Sequence, residues 1–117
     1  MTQEDKDLLL KDLCARLPYG VKVESVFINP DSKEHKSCGI EVFDATSILM
    51  INDGLGEFKP YLFPLSSMTE EERIAIGNEF AYGQPHKAMD LLHKRHIDYR
   101  GLIERGLAID ATGLNIY

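Results

Sequence analysis

The apolar positions change period partway along the chain. Leu9, Leu10, Leu13, Cys14 and Leu17 recur at helical spacing and predict one apolar stripe on a first helix. Thr2 is placed to cap that helix, Glu4 and Asp5 fall in its first turn, and Pro18 ends it at about Leu17. Val21 to Ile28 is β-branched and alternates until Val23. The consecutive Val26, Phe27 and Ile28 then predict a bulge near Ser25 or burial on both faces. Asn29-Pro-Asp-Ser32 marks a turn, and Cys38, Ile40 and Val42 alternate as a second strand. Asp44-Ala-Thr46 reads as a short turn, and the apolar run Ile48-Leu-Met-Ile51 as a central strand. Asn52 to Gly56 is a hairpin signal, and Phe58 to Leu65 reads as a last strand. Pro60 and Pro64 lack ladder donors, so that strand is expected at an edge or paired on one side only.

Helical spacing returns after Ser67. Thr69 with Glu72 three residues on forms a capping box, and Glu70 and Glu71 suit the positive end of a helix dipole. A second helix runs from there to Gly83, and a third from Pro85 to about His96. Asp98 is placed to cap a short fourth helix, Tyr99 to Arg105, closed by Gly106. Leu107-Ala-Ile109 reads as a short strand or tail, and Asn115-Ile-Tyr117 as loosely held. The expected fold is α+β. It has an N-terminal helix, a four-stranded antiparallel meander (a partial SH3-like barrel in its most curled form) and two or three C-terminal helices, all in a single domain, residues 1–117.

Composition changes this picture little. A chain of 117 residues buries about two-thirds of its unfolded surface and can hold a core without staples. There is no apolar run of membrane-spanning length, and the acidic start is unlike a signal peptide, so a cytoplasmic protein is expected. Cys14 and Cys38, without CxxC spacing, are expected reduced and at least half buried, with a Cys14–Cys38 disulfide as the alternative. The net charge of −6 argues against sequence-independent nucleic-acid binding. Between Gln84 and Arg105, however, five basic residues face three acidic ones.

Three segments look familiar. Lys59-Pro-Tyr-Leu-Phe-Pro-Leu-Ser-Ser-Met-Thr-Glu-Glu-Glu-Arg73 and His96-Ile-Asp-Tyr-Arg-Gly-Leu-Ile-Glu-Arg-Gly-Leu-Ala108 are two of them, and the opening Leu8-Leu-Leu-Lys-Asp-Leu-Cys-Ala-Arg-Leu-Pro-Tyr-Gly20 is the third. Together they cover about a third of the chain. They resemble a family of small proteins from gut anaerobes and their phages and mobile elements, which has no established activity. The resemblance implies a bacterial or phage origin and brings no catalytic or binding residue with it.

The candidate chemistry is sparse. His86, Asp90 and His93 at i, i+4, i+7 fall on one side of the third helix, a spacing that can chelate zinc. A fourth ligand is not evident, and no metal or other cofactor is expected. His96 falls within the apolar arc of that helix and reads as a core residue, while His35 lies in a loop. Ser66 and Ser67 lack a glycine-flanked elbow, and Gly54-Leu-Gly56 is not a phosphate loop. No catalytic residue is therefore assigned. The expectation is a non-enzymatic protein-interaction module whose surface includes His86, Asp90, His93, Lys94 and Arg95, with another protein as partner. The alternative is nucleic-acid binding through the helix pair 69–96, with Lys87, Lys94 and Arg95 on the reading helix.

Overall fold

The computed structural model describes residues 2–117. It is an α+β fold of four helices and a five-stranded mixed sheet. Helix α1, Gln3–Arg16, starts at Thr2, whose hydroxyl accepts from the Asp5 amide at 3.1 Å. Its buried residues are Leu9, Asp12, Leu13 and Arg16. That face is rotated from the all-apolar stripe expected from sequence, because two charged residues point inward beside Leu9 and Leu13. The rotation turns Cys14 outward, so both Cys14 and Cys38 are exposed and free, against the expectation of burial.

Strand β1, Lys22–Ile28, pairs antiparallel with β2, His35–Val42, on one side and with β3, Gly56–Pro64, on the other. The register slips as expected between Ser25 and Val26, but the extra residue is Cys38 on β2, since Ser25 faces Gly39 and Val26 faces Ser37. Gly39 takes a φ of 83°, which a side chain would resist.

Ile48 to Ile51 is not a strand. It lies in helix α2, Ala45–Asn52, and Asp44 is the N-cap rather than a turn residue. Ser47 completes a capping box with it, at 3.1 Å and 3.4 Å. A four-residue apolar run fits helix or strand equally, and the cap decides it. Ile48, Met50 and Ile51 then pack on the core while Leu49 stands in solvent.

The antiparallel meander therefore gives way to a different plan. Strand β3 is the hub: it pairs antiparallel with β1, and parallel with β4 (Ile97–Asp98) and β5 (Ile109–Asp110). The sheet is open, with order β2-β1-β3-β4, and does not close into an SH3-like barrel. The prolines do not make β3 an edge. Pro60 ends the ladder with β1 and Pro64 ends the ladder with β4, so each missing N–H falls where pairing stops.

Two clusters fill the interior. Leu9, Leu13, Val21, Val23, Phe43, Phe58, Leu62, Leu102 and Leu107 join α1 to the sheet, with Phe43 and Phe58 edge-to-face at 6.0 Å. Ile76, Ala88, Leu92 and Ile97 pack a helical hairpin against the end of the sheet. That hairpin is α3, Glu70–Ala81, and α4, Pro85–Lys94. Thr69 caps α3 with the expected reciprocal bonds to Glu72, at 3.2 Å and 3.4 Å. Thr69→Ala is expected to lose about 1 kcal/mol in urea melts. Ser66→Ala and Ser67→Ala should lose less, and a larger loss at either serine would misplace the cap.

The fourth expected helix does not form. Residues 99–106 make irregular turns, and the Asp98 carboxylate accepts from the amides of Leu102 and Ile103, both at 2.9 Å. The tail is not loose either. The Tyr117 hydroxyl donates to Tyr61 O at 2.7 Å and accepts from the Lys22 amide at 2.8 Å.

Candidate functional site

The densest polar cluster lies where α1, α4 and β4 meet. Arg16, fully buried, donates from Nε to Asp12 at 2.8 Å and from Nη2 to Ile97 O at 2.6 Å. Among the described residues its Nη1 has no hydrogen-bond partner, and its guanidinium lies 5.2 Å from the centroid of the Tyr99 ring. Arg100 donates to the other Asp12 oxygen at 3.0 Å and to the Tyr99 hydroxyl at 3.2 Å. That hydroxyl meets His93 Nε2 at 2.7 Å. The tautomer of the imidazole sets which of the two donates. Burial, followed by the charge of Arg16, lowers the His93 pKa and favours a neutral ring. Tyr19 extends the chain of contacts outward by donating to Asp90, whose carboxylate holds the phenol above its usual range.

This arrangement joins three elements. The larger surface groove, about 670 Å³, is lined by Leu9, Leu10, Val26, Ile28, Ile51 and Phe58 among others. A smaller one of about 250 Å³ is lined by Glu79, Lys87, Asp90, Leu91 and Lys94. Neither is lined by Arg16, His93, Tyr99 or Arg100.

The five residues singled out from sequence do not share one surface. His86, Asp90, Lys94 and Arg95 are exposed, but His93 is buried in the cluster. Arg95 reaches back to Glu72 on α3 at 3.2 Å, which reduces the free positive charge that a nucleic-acid reader would present. Among the described residues no three His, Cys, Asp or Glu side chains are grouped to hold a metal ion. No described helix is long and apolar enough to cross a membrane.

Reading the sequence for apolar stripes missed Asp12, Arg16, Tyr99 and Arg100. A signal was present: Asp12 and Arg16 stand at i, i+4, beside Leu9 and Leu13 on the same helical face. Nothing local pointed to Arg100, which reaches Asp12 across 88 residues of chain.

His96, at φ 55°, stacks on the Tyr117 ring with centroids 3.7 Å apart. Burial, then the charges of Arg16 and Lys22, push its pKa down to about 4. The unfolded chain takes up this proton near pH 6.5, while the folded chain refuses it until about pH 4. His96 therefore lowers stability as the pH falls through that window and has no effect above it. His96→Asn tolerates the left-handed backbone and should flatten the loss of stability across that window. Identical slopes for variant and wild type would refute this.

No family model, curated protein or solved structure matches the chain.

Proposed function

We propose that the chain is a non-enzymatic protein-interaction module that presents the outer side of the α3–α4 hairpin to another protein. The setting is the cytoplasm of a bacterium, with a bacterial or phage gene as its source, as the resemblance implies. The observation that carries the reading is the uncovered apolar surface of α3 and its end. Tyr82 is 90% exposed, Ile74 56% and Phe80 49%, while Ile76 is the one residue of α3 that is buried. Single exposed apolar residues are ordinary, but three on one short helix and its C-cap favour contact with a partner. Lys94 and His86 on the neighbouring α4 are exposed and polar. The buried cluster around Arg16 serves this role indirectly, by fixing α4 to α1 and the sheet.

The test uses the immobilised chain as bait in bacterial lysate. Wild type is expected to retain a protein that a Phe80→Glu, Tyr82→Lys variant does not retain. Recovery of nucleic acid alone, or of the same proteins by both baits, would overturn the reading. Both residues are exposed, so the variant should keep its fold, which circular dichroism checks.

A further inference from the structure

Strand β2 forms one edge of the sheet. Among the described residues it pairs only with β1, and all eight of its residues are exposed. Two hydrogen bonds that bracket it fix which backbone groups face outward. Asn29 N–H donates to Glu34 O at 2.9 Å, and Phe43 N–H donates to Val21 O at 2.9 Å. Bonded and non-bonded pairs alternate along an antiparallel ladder. Lys36 therefore turns its backbone inward like Glu34, and Glu41 turns inward like Phe43. His35, Ser37, Ile40 and Val42 direct their N–H and C=O groups away from β1. The alternation changes parity between Ser37 and Ile40 because Cys38 is the extra residue of the bulge.

We propose that β2 pairs antiparallel with β2 of a second copy of this chain, about a twofold axis at Cys38–Gly39. In this register His35 faces Val42 of the second copy, Ser37 faces Ile40, and Lys36 faces Glu41. Each relation occurs twice, as a twofold axis requires. The bulge is what permits it. In a regular strand, an axis between two residues would set facing side chains on opposite sides of the sheet. Here Ser37 faces Val26 across β1, and Ile40 faces Glu24. Ser37 and Ile40 therefore lie on the same side of the sheet. Lys36 and Glu41 share the other side, facing Phe27 and Val23.

Charge selects this partner. Among the described residues neither Lys36 nor Glu41 has an ion-pair partner in its own chain. A lysine and a bulge on an open edge discourage indiscriminate strand pairing. An opposing glutamate at the matching position turns the same lysine into a specificity element. Pairing also covers Ile40 and Val42, which are 51% and 54% exposed. His35 and Ser37 line the groove together with Glu24, Val26 and Ile28, so the paired sheet carries that groove across the axis. Eight edge residues a side bury less than the standard interface, so the dimer is a reversible one.

The inference is independent of the α3–α4 reading, and its test uses purified protein alone. Sedimentation velocity from low micromolar to several hundred micromolar is expected to show a reversible monomer–dimer equilibrium. Lys36→Glu and Glu41→Lys should each raise the dissociation constant at least tenfold. The double charge reversal should restore it. Ile40→Pro, which removes an outward N–H and no bond to β1, should abolish the dimer while circular dichroism stays native. A wild-type monomer at every concentration would overturn the proposal, as would a dimer indifferent to these changes or a double reversal that fails to rescue.

Discussion

Arg16→Ala is expected to lower the stability of the fold by about 3–5 kcal/mol, the usual result of breaking a buried ion pair from one side. Arg16 and Asp12 are both fully buried, 2.8 Å apart. Removing the guanidinium leaves Asp12 with only Arg100, whose side chain is 19% exposed. It also leaves Ile97 O without the donor that reaches it at 2.6 Å, and opens a void under Tyr99. An Asp12→Leu, Arg16→Met double variant should lose less than Arg16→Ala, because it removes the charge and fills the space. Urea melts of the three proteins decide the matter. A loss below about 1 kcal/mol for Arg16→Ala would show that the cluster does not hold α1 to the rest of the chain.

Asp98→Ala should lose about 3 kcal/mol, since hydrogen bonds to a charged acceptor contribute about 1.5–3 kcal/mol each. The buried carboxylate accepts two backbone amides, from Leu102 and Ile103, both at 2.9 Å. Those bonds pin a segment without regular structure whose Leu102 and Leu107 belong to the main core. Asp98→Asn keeps an acceptor without the charge and should lose about half as much. Hydrogen exchange gives a local readout: the Leu102 and Ile103 amides should lose protection in the alanine variant. If they stay protected, something other than Asp98 holds the turn.

These two sites mark how far the sequence could be read. Thr2, Thr69 and Asp98 were recognisable as capping residues because a cap is a local pattern of a few positions. At Asp98 the chemistry was foreseen but not its product, since the carboxylate stabilises turns rather than a helix. Asp44 carried the same kind of signal with Ser47, and the apolar run behind it masked the helix. The slip near Ser25 was visible in Val26-Phe-Ile28, although its extra residue sits on the neighbouring strand. What stayed hidden was non-local. A short strand was expected near Ile109, where β5 starts, but β4 is too short to show a period, and the parallel pairing of both with β3 depends on distant parts of the chain. Cys14 was misplaced because a wheel filled only with apolar residues cannot admit Asp12 and Arg16 to the buried face.

The hub position of β3 also orders events in time. Its partners come from both directions along the chain: β1 from before it, and β4 and β5 from as far as Ile97 and Ile109. Leu9 and Leu13 share their cluster with Leu102, Leu107 and Ala108, which leave the ribosome much later. A nascent chain that has reached only α4 has all four of the described helices, yet lacks the Leu102, Leu107 and Ala108 side of its main core. Such separation slows folding and prolongs exposure of apolar surface during translation. Until residues 97–111 emerge, α1 therefore lacks part of the surface it packs on.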